Sequence, residues 1–319
     1  MDLLDKFIGC LLGSALGDAL GMPLEGLSAL EIQRSFGRVV EMLPAPDHHF
    51  HHGLQAGQYT DDTEETIILA ESLLEAQGFS GDLFAERLVR WGSTWILDER
   101  LDRGVGITTR SAIENMLSGK PWQDAGVDIE TCGAAMRAAP IGLVYHWDLS
   151  MVSRYSELQS IVTHRSRGAR AGAVAVAVGV ALSLLDLPRM KILEISTDIA
   201  SRISPELGRK MDEVRIFLES DRDPSDVLEL LGTSPSVHDA VPSAFYCFVR
   251  LDPEDALVEA VNAGGDTDSV ASMAGALAGA RYGTSWMPER WLSHLENRDR
   301  IEELGRELGQ LSLRISGRV

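Results

Sequence analysis

Apolar residues at Leu4, Phe7, Ile8, Leu11, Leu12, Ala15 and Leu16 return at three- and four-residue intervals, the period of a helix that buries one face. In the same stretch Gly9, Gly13 and Gly17 recur every fourth residue. One side of that helix therefore carries no side chain and admits another backbone at close range. The pattern predicts a core helix ending near Gly21-Met22-Pro23. After a loop over 36–59 the same period returns over 62–77, with Ile67, Ile68, Ala70, Leu73 and Leu74 on the apolar face. Similar stretches follow at 82–97, 108–118, 151–161, 168–185, 189–201, 205–219, 224–231, 237–250, 253–261, 268–282 and 288–312, each bounded by Pro, Gly, Asp or Ser. Alternating strand patterns are nearly absent. The predicted fold class is all-α, a compact orthogonal multi-helix bundle of about a dozen helices.

Two short acidic clusters stand out against this background: Thr60-Asp61-Asp62-Thr63, and Gly264-Gly265-Asp266-Thr267-Asp268-Ser269. Each lies where a glycine-containing loop runs into an apolar-periodic helix, so side-chain oxygens can point off the helix end at a common target. Helix capping alone accounts for one such oxygen and is worth about 0.5–2 kcal/mol. Thr60, Asp61, Asp62, Thr63 and Glu64 offer more oxygens than one helix start can use. In a regular helix Asp266 and Asp268 would point roughly 200° apart. They converge only if Gly264-Gly265-Asp266 is still loop and the helix begins near Asp268. An oxygen-only donor set suits Mg²⁺, Mn²⁺ or Ca²⁺ rather than zinc. The clusters lie at opposite ends of the sequence, so sharing a site requires the ends to fold together. With no low-complexity linker and no repeat of solenoid length, residues 1–319 read as one domain.

Charge narrows the partners. The 319 residues carry 29 Lys+Arg against 48 Asp+Glu, a net charge of −19, which repels nucleic acid and anionic membrane at long range. A hydrophobic share of 45% is enough for a sizeable core. Cys10, Cys132 and Cys247 have no CxxC spacing, which argues against a disulfide framework and for a reducing cytoplasm. The start, Met1-Asp2-Leu3-Leu4-Asp5-Lys6, has the wrong charge for a signal peptide. The apolar run over 171–185 is shorter than the roughly 20 residues of a membrane crossing and reads as a buried helix.

Other segments carry weaker signals. Glu25 lies among Gly17, Gly21 and Gly26, which permit close backbone approach and make it a functional candidate; Asp18, in mid-helix pattern, is expected to bond locally. Gly133-Ala134-Ala135-Met136-Arg137 suits either tight helix packing or an anion cradle, and Gly104-Val105-Gly106 is similar. His164 suits either a ligand contact or a backbone cap. Four histidines in Asp47-His48-His49-Phe50-His51-His52 read as a solvated segment, because no carboxylate or cysteine stands at fixed spacing beside them.

Taken in order, these motifs resemble the ADP-ribosylglycohydrolases, the group that includes dinitrogenase-reductase-activating glycohydrolase. The resemblance runs from Gly9-Cys10-Leu11-Leu12-Gly13 and Gly17-Asp18-Ala19-Leu20-Gly21, through 59–63, 133–142 and Thr163-His164, to Ala260-Val261-Asn262-Ala263-Gly264-Gly265-Asp266-Thr267-Asp268-Ser269, and so covers nearly the whole chain. It implies a centre of two Mg²⁺, with Mn²⁺ as the alternative, held by Thr60, Asp61, Asp62, Asp266, Asp268 and Ser269, with Asp268 expected to bridge. It implies Glu25 as a mobile acid near the first metal, and Asp62 or Glu25 as the proton acceptor. Gly104, Gly106, Gly133, Ala134, Met136 and His164 fall on segments lining the ADP-ribose site.

The implied activity is hydrolysis of the C1″ glycosidic bond of ADP-ribosyl groups on a modified protein or small acceptor, with nucleic acid entering only as ADP-ribosylated ends. The alternatives are a silent ADP-ribose-binding or crystallin-like relative and another metal-dependent nucleotide hydrolase. Two departures bear on specificity: Cys132 stands where many members have Asn, and Gly104 and Ile107 stand where nitrogenase-type enzymes carry acids.

Overall fold

The computed structural model describes residues 2–317. Its helices are α1 (Leu3–Gly21), α2 (Ala29–Ser35), α3 (Asp61–Glu75), α4 (Gly81–Leu97), α5 (Ile107–Leu117), α6 (Trp122–Ala125), α7 (Gly133–Met136), α8 (Ala139–Val144), α9 (Leu149–Ile161), α10 (Arg167–Leu184), α11 (Arg189–Ile203), α12 (Pro205–Leu218), α13 (Pro224–Leu231), α14 (Val237–Arg250), α15 (Pro253–Asn262), α16 (Thr267–Tyr282), α17 (Glu289–Leu292) and α18 (Arg298–Ile315). Single 3-10 turns occupy Met22–Leu24 and Glu99–Leu101. Among the described residues there is no strand, only isolated bridges at Ser28–Gly264, Val127–His164 and Thr131–Ser236. The all-α expectation holds.

The glycine ladder of α1 meets α16 backbone to backbone. A Cβ on Gly13 would lie 2.2 Å from the Gly275 carbonyl oxygen, one on Gly17 2.2 Å from the Ala271 oxygen, and one on Gly21 2.4 Å from the Asp268 Cα. Any side chain there would separate the helices. Ser14 and Ser272 hydrogen-bond across the contact at 2.8 Å. Thr267 Oγ1 donates to the Gly21 carbonyl at 2.9 Å. The first turn of α16 is thereby fixed against the last turn of α1, and the two ends of the sequence come together.

Two stretches, Leu3–Leu24 and Arg167–Leu184, are long and apolar enough to cross a membrane, but their apolar windows are 100% and 89% buried inside the protein. They are core helices here. The core runs continuously from Phe7 on α1 to Leu311 on α18.

The stretch 288–312 is two helices, not one. Asn297 takes a left-handed conformation with φ 54° and redirects the chain between α17 and α18. The short helices α2, α6, α7 and α8 also depart from the sequence reading, because fewer than two turns give a 3.6-residue period little to repeat.

Candidate functional site

The start of α3 shows why its acids are surplus. Thr60 is the N-cap, and its side chain accepts from the Asp62 N–H at 3.3 Å. Asp18 does the rest. Its carboxylate accepts from the Thr60 N–H at 2.9 Å, the Thr63 N–H at 2.9 Å and the Thr63 hydroxyl at 2.6 Å. Asp18 therefore does not bond locally, as its mid-helix position suggested. It sits on the face of α1 turned to α3 and satisfies amides that a helix start leaves open. Asp61 and Asp62 are released from capping and line a cleft.

The second cluster arrives by a different route. Gly264 and Gly265 take φ of 78° and 76°, and a Cβ on Gly265 would lie 2.3 Å from the Thr233 oxygen. Gly26 N–H donates to the Gly265 carbonyl at 2.7 Å, and Gly265 N–H donates to the Leu27 carbonyl at 2.8 Å. Asp266 stays outside the helix, which begins at Thr267. With Asp266 on the loop and Asp268 in the first turn, both carboxyls reach the cleft that Asp61 and Asp62 line. The two clusters are one site.

The cleft has a volume of about 260 Å³. Burial, followed by the other carboxylates, Asp268 and Asp18 most strongly, holds Asp62 well above its ordinary range. Asp61 is raised by burial and then by Glu65 and Asp268. Burial and Asp266 push Asp268 up to about 7. Asp62 Oδ2 is buried without a hydrogen-bond partner. No Lys or Arg figures among the main influences on these four acids. A buried, mutually repelling oxygen set of this kind fits a hard divalent cation.

Glu25 stands at the cleft edge with its side chain 21% exposed and its carboxyl in hydrogen-bonding contact with Asp268. The histidine segment is only partly solvated: Asp47, His48, Phe50 and His52 are exposed, but His51 is buried, and its Nε2 lies 2.6 Å from Glu25 Oε2. His49 is buried as well, with Nε2 2.7 Å from the Glu25 carbonyl. The partner carboxylate was absent from the segment because it lies 26 residues earlier. Burial drives the His51 imidazole down to about 3, so the ring is neutral, and its Nε2 shares a hydrogen bond with the Glu25 carboxyl.

Gly104, Gly106, Gly133, Met136, His164 and Ser269 all line the cleft, whereas Thr60 and Ala134 are fully buried and do not. The Ala134 carbonyl accepts from Gln159 Nε2 at 2.7 Å. His164 is held neutral by burial, between Thr163 Oγ1 at 2.7 Å and Thr131 Oγ1 at 3.0 Å. The Cys132 thiol donates to Asp266 Oδ2 at 2.9 Å, and burial with Asp266 raises its pKa well above the ordinary thiol range. Ile107 is 65% exposed on the rim. Asp102 accepts from the Gly104 and Val105 amides and pairs with Arg110.

The model of the ADP-ribosylglycohydrolase family matches residues 1–316. An uncharacterized protein of Archaeoglobus fulgidus is 46% identical, covering 98% of each chain. ADP-ribosylhydrolase ARH3 of Homo sapiens is 28% identical over 96% of this chain and 93% of its own length. ADP-ribosylarginine hydrolase Tri1 of Serratia proteamaculans is 30% identical over 96% of this chain and 79% of its own. A solved structure titled as an ADP-ribosylglycohydrolase-related protein complex superimposes with a TM-score of 0.79 at 30% identity, covering 97% of this chain and 99% of that one.

Proposed function

Because the chain belongs to the ADP-ribosylglycohydrolase family, we propose that its cleft hydrolyses the C1″ glycosidic bond of ADP-ribosyl conjugates with the help of two divalent cations, Mg²⁺ or Mn²⁺. The observation that carries this reading is the convergence of Asp61, Asp62, Asp266 and Asp268 on one cleft, with Asp62 Oδ2 unpartnered. Those four carboxylates and Ser269 would hold the cations, with Thr60 behind them. Bound there, the cations supply positive charge that orients the vicinal ribose hydroxyls and polarises a water.

The protein's own groups do the remainder. Asp62, through whichever carboxylate oxygen the cations leave open, takes the proton of the water that attacks C1″. Glu25, held at the cleft edge, gives a proton to the departing atom as the C1″ bond breaks. His164 and the Gly133 segment form the wall against which the ligand lies. A reducing cytoplasm belongs to the same proposal, supported by three buried free thiols.

On specificity, the loop carrying Gly104 and Ile107 offers the cleft little unpaired negative charge, since Asp98 is paired with Arg100 and Asp102 with Arg110, and the exposed Glu99 does not line the cleft. A guanidinium acceptor buried there would lack a partner. The reading therefore favours small or exposed ADP-ribosyl conjugates over large arginine-modified proteins.

Free ADP-ribose released from a panel of defined conjugates, with Mg²⁺ and after chelation, tests this. Metal-dependent release with the small conjugates fastest is expected. Binding without turnover would favour a silent relative, and selective demodification of an arginine-linked protein would overturn the specificity claim alone.

A further inference from the structure

We infer that His51 is a positioning residue that presets Glu25 for proton delivery, and that the loop over 49–51 forms a two-point clamp on that acid. The inference rests on the hydrolase reading above and assigns this loop a task within it. His51 Nε2 lies 2.6 Å from Glu25 Oε2, on a side chain only 1% exposed, and in the tautomer with its proton on Nε2 it donates there. His49 holds the same residue by its backbone. The His51 N–H donates to His49 Nδ1 at 3.2 Å, which leaves Nε2 of His49 as the donor to the Glu25 carbonyl at 2.7 Å. A loop gains nothing by burying two imidazoles unless their hydrogen bonds offset the loss of water.

The surroundings are shaped to this ring. A Cβ on Gly104 would lie 2.4 Å from His51 Cε1, and Gly104 sits at φ 95°. Asp102 fixes that glycine by accepting its N–H at 3.2 Å and that of Val105 at 3.0 Å. The support therefore runs from Asp102 through Gly104 and His51 to Glu25.

Glu25 needs such support because its other carboxyl contact is Asp268, an acid. Without the imidazole, Asp268 alone holds the carboxyl, and Glu25 is free to turn away from the cleft. With it, the carboxyl is held at Oε2 from behind as well as by Asp268.

His51→Ala should lower kcat by roughly 10–100-fold, the cost of a misplaced acid, with KM changed less than about threefold. His51→Gln, whose amide N–H reaches the position of Nε2, should recover kcat to within about threefold of the wild type. Gly104→Ala should lower kcat as His51→Ala does, because it displaces the ring without removing a polar atom, and should raise KM as well, because Gly104 lines the cleft. The second readout is hydrogen–deuterium exchange of the peptide over 22–30, which should speed up in His51→Ala and Gly104→Ala and remain slow in His51→Gln. Circular dichroism melts identify a variant that has merely lost its fold, and His51→Gln and Gly104→Ala then decide the matter.

A His51→Ala enzyme with wild-type kcat, or a folded His51→Gln that behaves as His51→Ala does, would overturn the clamp. If the wild-type protein cleaves no conjugate, the hydrolase reading fails. In that event unchanged exchange over 22–30 in His51→Ala overturns the clamp, and faster exchange upholds it.

Discussion

Asp61 and Glu65 lie one turn apart on α3, both buried, and the protein treats them in opposite ways. Glu65 pairs with Arg137, and both side chains are fully buried. Arg137 also donates to Gln159 Oε1 at 2.8 Å, to the Gln159 carbonyl at 3.1 Å and to Thr163 Oγ1 at 2.7 Å, with its guanidinium over Phe84. That acid has a cation of the chain's own. Asp61 and its neighbours at the cleft have none and push one another's proton affinities upward. One helix therefore carries a carboxylate that holds α3 to α7 and α9, beside cleft carboxylates with no ion pair among the described residues.

The largest expected effect separates the two roles by activity. Asp268→Ala should lower ADP-ribose release by at least about 10³-fold, while helical circular dichroism and the melt change little, because losing a helix-start contact costs about 0.5–2 kcal/mol. Wild-type turnover in that variant would mean that the cleft acids are capping groups after all.

Arg137→Met should do the reverse. Leaving Glu65 buried without its partner is expected to cost about 3–5 kcal/mol in urea unfolding. Arg137→Met combined with Glu65→Met should cost clearly less, since neither charge remains. A single variant no less stable than the double would erase the distinction drawn here between the two acids.

The smallest effect concerns pH. In the metal-free protein Asp18 and Asp268 have pKa values of about 7, above their ordinary 3.8. A raised folded-state pKa contributes stability that is full below the unfolded value and lost as pH rises through the folded one. The metal-free midpoint should therefore fall between about pH 5.5 and pH 8. On the proposed function, added Mg²⁺ should raise the midpoint more at the higher pH, where the acids are ionised, by a few degrees. An equal Mg²⁺ shift at both pH values in differential scanning fluorimetry would show that the cluster does not receive the ion.

Much of this was visible in residues close together in sequence. Gly9, Gly13 and Gly17 announce a backbone contact because their spacing is the helix period itself. The Gly264-Gly265-Asp266 break before α16 is readable because two acids two residues apart converge only off a helix. What stayed hidden depends on partners far along the chain. Asp18 looks local until α3 is seen to present its amides 42 and 45 residues later. His51 looks solvated until Glu25 and Gly104 close around it. Arg137 sits in a run that composition assigns equally to packing and to anion binding, and only Glu65, Gln159 and Thr163 decide for packing. Short helices such as α7 escape because four residues carry no period.

The contact between α1 and α16 also orders events in time. At roughly 5–20 residues per second of synthesis, the glycine face of α1 waits on the order of tens of seconds before α16 exists to cover it. Until then Asp18 has a helix to cap, yet the second half of the acid set has not been made. The nascent chain thus completes its cluster of cleft acids late, when the C-terminal helices dock. An emerging polypeptide with an apolar, side-chain-poor first helix is exposed to mispairing throughout that interval, which makes the earliest-made segment the one whose folding finishes late.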